Sequence, residues 1–432
     1  MKNREIIQIT KQNMINRLII IIYGLFAYGI IKIMDIPSIH ISVFWGMVIL
    51  AIVLVKFDLF HPYFWFSLFF GLYNSANAIL HHDDQSYCKE QILMPLFALT
   101  IFLIVVGSDR KKHSDYLKCN DIIKGDFLSK IIWFLIILTI VFSLFLHIRG
   151  YQSKVQMRES GDLSYRLGVH IARYLVLFCL IYTAKIRISN NTIPVKILIG
   201  GGIATLVFSL MTSERDVVFR YGFTFLLLLY IFDIVKKKHL LFLFPVAMFA
   251  MTASVYVKHY FLRGVFNDAF VSNGNIFTQF LSTDFSAAGD NLQYLLDRED
   301  TRGRFGLSLF FTELFSPILI GVNTINPDNW FNTEIHHSSY GHAFTLVGTG
   351  YIIAGYLGLL LVFASVGLIV KIFYKKSDSN IYWLAGYVYM TSVVIFSFRQ
   401  SLGTVTGALL KHILVAVLFC MAFDKIINRK KC

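Results

Sequence analysis

Residues 130–148 read KIIWFLIILTIVFSLFLHI, an apolar run with one lysine at its head, one histidine near its end and only Thr139 and Ser143 as neutral polar interruptions. About 20 such residues make an α-helix that crosses a ~30 Å hydrocarbon core. Hydrocarbon offers backbone groups no partner, so the helix, which pairs them internally, is the form such a run takes. Comparable runs recur on both sides of it, at 17–34, 41–58, 62–80, 91–107, 168–186, 194–212, 216–235, 239–257, 342–371, 381–398 and 402–424. They predict an all-α protein, a polytopic transmembrane helical bundle of twelve spans. The composition agrees: 56% of the 432 residues are hydrophobic, 15% are charged, and mean hydropathy is +0.62. A soluble globular core is excluded.

The stretch 342–371 is longer than one crossing and predicts a helix that tilts or begins above the membrane. Span 1 reads as a signal anchor. No small-residue cleavage site follows it (KIMDIPSIH, 32–40), so retention is expected. Most connections are short, but residues 258–341 form a very long loop, and loops of that length are usually functional. Its stretches 275–297 and 307–321 (LSLFFTELFSPILIG) have the periodicity of amphipathic helices lying along the membrane face. The organisation expected is an N-terminal bundle over 1–257, the outer loop over 258–341 and C-terminal spans over 342–432, all in one membrane domain. The five cysteines are scattered and predict no external disulfide.

Charge assigns the two faces. Lysine dominates the segments that alternate to one side, including Lys2 and Lys11, Lys56, Lys111, Lys112, Lys118 and Lys124, Lys236–Lys238, Lys371–Lys376 and Lys425–Lys431. The positive-inside rule places these segments, and both termini, in the cytoplasm. The formal net charge of +14 is mostly this rule at work and does not point to nucleic acid. Eleven of the sixteen arginines lie elsewhere: Arg149, Arg158, Arg166, Arg173, Arg215, Arg220, Arg263, Arg298, Arg302, Arg304 and Arg399. They run against the rule. A guanidinium keeps its charge in a partly dry site, and its planar fork matches phosphate. An arginine-rich outer face therefore points to an outward-facing site for a phosphorylated or diphosphate ligand. Singly, each arginine also fits snorkelling or pairing with a carboxylate.

Arg215 and Arg220 stand at the outer end of span 8 in LMTSERDVVFRYG. Five residues of helix turn through about 500°, so their bearings differ by roughly 140°. Arg220 is a turn inside the span and should face protein or water, not lipid. Glu214 and Asp216 are the adjacent counter-charges. Arg173 lies in span 6 with His170 three residues earlier on the same face, Arg399 in the short loop FSFRQSLGT, and Lys411 and His412 deeper in span 12. Cations converging there would bind a diphosphate and stabilise it as a leaving group. Near the end of the long loop, Glu334, His336, His337 and His342 fall in NTEIHHSSYGH, where Glu334, His336 or His337 can accept a proton from a sugar hydroxyl. The spacing is no metal motif, and HHDD (81–84) reads best as solvated loop. P-loop, dinucleotide and nucleophile-elbow signatures are absent, so neither a cofactor nor a metal is expected. Gly348, Gly350, Gly355 and Gly358 read as close helix packing.

TSERDVVF at the end of span 8, the loop 258–341 and GHAFTLVGTGYIIAGYLG after it resemble the Wzy-type O-antigen and capsule repeat-unit polymerases of bacteria. The resemblance covers most of the chain, by architecture more than by letters. It implies a GT-C-like membrane glycosyltransferase of the bacterial cytoplasmic membrane. Such an enzyme moves a growing glycan from undecaprenyl diphosphate onto a new undecaprenyl-diphosphate-linked repeat unit, without nucleotide sugar. The lipid-linked oligosaccharide, membrane lipids, a chain-length regulator and a flippase are the partners implied. The family's essential outer arginine matches Arg215. Arg173, Arg220, Arg302, Arg304 and Arg399 are candidates for the diphosphate, and Glu334, His336 and His337 for the base. An O-antigen ligase shares the architecture with a different acceptor. A flippase or other transporter fits less well, because short loops and two related halves are expected of it.

Overall fold

The computed structural model describes residues 2–81, 87–111, 127–149, 163–212, 214–240, 242–243, 278, 280–315, 317–318, 325–337 and 344–429. Every regular element among them is helical. The first half holds α1 (Lys2–Ile33), α2 (Pro37–Leu54), α3 (Pro62–Leu80), α4 (Glu90–Val106), α5 (Phe127–Ile148), α6 (Leu163–Asn190), α7 (Val195–Thr212) and α8 (Arg215–Ile231). Two loop helices follow, α9 (Ala287–Leu296) and α10 (Gly306–Phe315). After them come α11 (Leu346–Ala354), α12 (Tyr356–Lys376) and α13 (Ile381–Ser397). The last helix runs as α14 (Leu402–Ala408), a π-turn over Leu409–Ile413, and α15 (Leu414–Arg429).

Among the described residues seven stretches are long and apolar enough to cross a membrane: Lys11–Ile33, Pro37–Leu54, Phe127–Ile148, Leu163–Asn190, Val195–Thr212, Tyr356–Lys376 and Leu402–Phe423. Six of them match predicted spans, and Tyr356–Lys376 matches the second half of the predicted 342–371. Four further predicted spans are helical but differ in kind. Helices α4, α8 and α13 have 17 residues each, about 26 Å of rise. Helix α3 is long enough, yet carries Ser67, Asn74, Ser75 and Asn77. It tolerates them because it is buried on nearly every side by protein, not lipid. Predicted span 239–257 lies largely outside the described residues, as do Arg158, Arg263, His342 and most of HHDD.

The exterior helices show the complementary pattern. Leu18, Ile22, Leu25 and Phe26 on α1, and Ile199, Ile203, Leu206 and Leu210 on α7, are exposed at helical spacing. Apolar stripes of this extent are unfavourable in water and suited to acyl chains. Inside, α3 and α13 form the centre. Phe66 and Phe70 of α3 pack edge-on to Phe398, at 4.8 and 5.2 Å.

The two ends of the bundle are tied by different polar contacts. At one end Asn13 donates to Asp109 (2.9 Å), Lys111 pairs with Asp378 (2.7 Å) and Lys371 donates to the Val105 carbonyl (2.6 Å). At the other, Lys32 pairs with Glu90 (2.8 Å), which also accepts from the Tyr356 hydroxyl (2.5 Å). The arginines considered below are at this second end.

The predicted helix 342–371 is broken. Gly355 adopts φ 60°, ψ −131°, a conformation that L side chains disfavour, and ends α11 in a sharp reversal. Helix α11 then packs back on α12 so closely that a Cβ on Gly358 would overlap the Gly350 carbonyl. The close-packing reading holds for Gly350 and Gly358, whereas Gly355 serves the turn. Both ends of α11 are satisfied by protein: Phe344 and Leu346 N–H donate to the carbonyls of Arg399 and Phe398 (3.1 and 3.3 Å). Gly303 and Phe305 N–H donate to those of Tyr351 and Ile352 (3.0 and 3.1 Å). A nine-residue helix with both ends buried needs this pairing.

Candidate functional site

Helices α7 and α8 meet at a corner between Thr212 and Arg215, with Glu214 in a non-helical conformation at its apex. Glu214 is buried and accepts a hydrogen bond from the Tyr165 hydroxyl of α6. Asp216 falls in the first turn of α8, where the helix dipole favours an anion. One turn on, Arg220 Nε donates to Asp216 Oδ2 at 3.2 Å, with both side chains about 1% exposed. Arg173 Nη2 reaches the same oxygen from α6 at 3.1 Å.

Two guanidiniums thus share one carboxylate inside an apolar bundle. Arg173 Nε and Arg220 Nη1 are buried without a hydrogen-bond partner. Arg399, half-buried in the loop after α13, lies over the Phe396 ring at 5.2 Å, and Arg220 lies over the same ring at 5.4 Å. Tyr389 adds a second ring 5.8 Å from Arg220. Arg215, half-buried, stands between Glu214 and Asp216 at the corner. Helices α6 and α8 and the loop after α13 therefore bring Arg173, Arg220 and Arg399 together, with Arg215 at the head of α8. Among the described residues cations outnumber carboxylates here, an arrangement chemically suited to an anion.

Below the arginines the π-turn swings His412 inward. Its Nε2 is 2.7 Å from Nδ1 of His170 on α6. The Tyr174 hydroxyl donates to the Lys411 carbonyl, holding the π-turn on α6. The Lys411 side chain is exposed while His412 is buried, so one residue of the turn faces in and its neighbour faces out.

The remaining sequence candidates stand apart from this cluster. Arg302 is exposed against the Gly355 turn, and Arg304 pairs with Asp300 at 2.7 Å and lies over Trp330 at 5.7 Å. Glu334 and His337 are exposed. His336 is wedged between Tyr294 and Phe331, at 4.6 and 4.7 Å. Tyr294 and Trp330 are thus engaged with protein rings or cations. Phe331 links this segment to the cluster through Phe344 (5.1 Å), whose N–H donates to the Arg399 carbonyl. Among the described residues no three His, Cys, Asp or Glu side chains are grouped as a metal would need.

One carboxyl was missed. Glu313 on α10 is 5% exposed and accepts from Gly403 N–H at 2.5 Å, at the head of the last helix. Its own carbonyl accepts from the Thr406 hydroxyl at 2.7 Å. Burial pushes its carboxyl up to about 7, against the pull of the Gly403 N–H. The available signal was composition: Glu313 is the one charged residue between Arg304 and Asp328.

No family model, curated protein or solved structure matches this chain.

Proposed function

We propose that this chain polymerises lipid-linked oligosaccharide repeat units at the outer face of a bacterial cytoplasmic membrane. It would transfer the growing glycan from undecaprenyl diphosphate to a new undecaprenyl-diphosphate-linked unit. The observation that carries this reading is the pair of guanidiniums of Arg173 and Arg220 on the single buried carboxylate of Asp216, with Arg399 on the ring beside them. Buried cationic excess at one end of an apolar bundle suits a diphosphate entering sideways from the lipid. It also stabilises negative charge that grows on that diphosphate as the glycosidic bond breaks.

The finer architecture belongs to the same proposal. Twelve spans, both termini in the cytoplasm, a GT-C-like arrangement and an outer loop over 258–341 place the cluster at the outer leaflet. A chain-length regulator and a flippase are the partners proposed. O-antigen ligation is the nearest alternative, differing in its acceptor.

The test is direct. Purified protein is mixed with synthetic undecaprenyl-diphosphate repeat units and no nucleotide sugar, and the products are separated on a gel. Wild type should give a ladder of repeat-unit multiples. Arg215→Ala and Arg173→Ala should lower turnover by about 10²–10³-fold, and lysine at either place should restore little of it, because lysine lacks the planar fork. No ladder with any lipid-linked unit, together with lipid translocation in vesicles, would replace this reading with a flippase.

A further inference from the structure

Glycosyl transfer to a sugar hydroxyl releases a proton, and the arginine cluster, being cationic, cannot take it. The exposed Glu334 and His337 make no contact with that cluster among the described residues. Facing it instead is His412, 2% exposed, on the inward side of a π-turn. Inserted π-turns occur often at functional sites because they re-aim a side chain. Here the turn aims an imidazole at the level of Arg173 and Arg220. His412 Nε2 is engaged with His170, while Nδ1 is buried without a hydrogen-bond partner. Burying such an atom unpaired is costly, and a catalytic role is one recognised reason for it.

We propose that His412 Nδ1 is the proton acceptor for the incoming sugar hydroxyl and that His170 relays the proton outward, an inference that rests on the transferase reading. In the step, the hydroxyl O–H breaks and its oxygen bonds to the donor's anomeric carbon. The bond from that carbon to the diphosphate oxygen breaks, and its electron pair leaves on the lipid diphosphate. The hydroxyl proton arrives at Nδ1 of His412. The proton on His412 Nε2 crosses the 2.7 Å contact to His170 Nδ1, and His170, half-buried, releases its own Nε2 proton to the exterior. His412 must therefore start as the Nε2–H tautomer, which the contact to an accepting His170 Nδ1 selects.

Arg166, Arg173 and Tyr174 from α6 and Arg220 from α8 lie near the pair, Tyr389 of α13 adjoins Arg220, and Lys411, the sequence neighbour of His412, has its side chain exposed. Among the described residues no carboxylate is in contact with His412. Tyr174 packs edge-on to the His412 ring at 5.5 Å and, through the Lys411 carbonyl, holds the turn in place.

The test compares wild type, His412→Gln and His170→Asn in the ladder assay, with binding of undecaprenyl diphosphate measured separately. Glutamine keeps an amide within reach of His170 but takes no proton. His412→Gln should lose about 10²–10⁴-fold in kcat while binding undecaprenyl diphosphate within about threefold of wild type. His170→Asn should lose less, about tenfold, and move the acid limb of the pH–rate profile. Turnover of His412→Gln within about threefold of wild type overturns the proposal. So does parallel loss of binding and turnover, which would make His412 structural. Should His412→Gln not fold, an unchanged rate and pH profile in His170→Asn overturns it. A wild-type protein that makes no ladder fails the transferase reading itself, an outcome distinct from any difference between variants.

Discussion

Asp216 and Arg220 stand one turn apart on α8, meet at 3.2 Å, and are both about 1% exposed. A buried ion pair is expensive to assemble, because both charges leave water, and more expensive to break, because the survivor stays buried uncompensated. Asp216 answers two cations here, since Arg173 reaches the same oxygen. Asp216→Asn is therefore predicted to destabilise the detergent-solubilised protein by about 3–5 kcal/mol. Arg220→Met should cost less, because Asp216 keeps Arg173. The double variant should recover part of the Asp216→Asn loss. Unfolding midpoints of the three variants check this; a cost under about 1 kcal/mol for Asp216→Asn would show that Asp216 neither secures Arg220 nor holds α6 to α8.

Glu313 predicts a pH dependence of stability. Its carboxyl is raised from an ordinary 4.5 to about 7 by burial. Below about pH 4.5 both folded and unfolded chains carry the proton, and the site costs nothing. As pH rises from 4.5 to 7 the unfolded chain gives up its proton and the folded one does not, so stability falls; above 7 the loss is complete. At 1.36 kcal/mol per unit the full loss is about 3 kcal/mol. Glu313→Gln removes this slope while its amide oxygen still accepts from Gly403. Its unfolding midpoint relative to wild type should rise between pH 4.5 and pH 7 and stay level above. Parallel curves across that window would refute the assignment.

The positions of the helices were legible because burial in lipid or protein demands apolar runs, and eleven of the predicted spans fall on helices. Their character was less so. Helix α3 reads like its neighbours by length, yet Asn74 and Asn77 mark it as a helix surrounded by protein. The arginine cluster was partly legible, since Arg173, Arg215, Arg220 and Arg399 stand out against the positive-inside rule. What joins them was not: Arg173 meets Asp216 across 43 residues, and His170 meets His412 across 242. Local spacing carries no information about contacts between helices so far apart in the chain. The π-turn at Leu409–Ile413 was hidden for the same reason, because one inserted residue leaves the apolar pattern of the last helix nearly intact. Glu334, His336 and His337 attracted attention by residue type and by their place near the end of the long loop, and only packing reveals that Glu334 and His337 are exposed.

The hairpin of α11 and α12 separates close packing from simple glycine content. At Gly350 an added Cβ would lie 2.8 Å from the Leu359 backbone nitrogen and Cα, and at Gly358 it would overlap the Gly350 carbonyl. Neither obstacle is the far end of a flexible side chain, so relief requires the helices to part. Separation would strain the reversal at Gly355 and loosen the hydrogen bonds that tie α11 to Gly303 and Phe305. Gly358→Ala and Gly350→Ala are each predicted to destabilise by about 2–3 kcal/mol, in the range of overpacked cores. Gly29, on the exterior helix α1, has nothing within 4 Å of its added Cβ. Gly29→Ala should be neutral or stabilising by up to about 1 kcal/mol, as expected for a glycine removed from a helix interior. Thermal unfolding of the three variants in one detergent checks the contrast. Equal effects at all three positions would mean that α11 does not rest on α12 at these glycines. If the contrast holds, proteolysis of Gly358→Ala should open first near Gly303–Gly306, the segment that the hairpin secures.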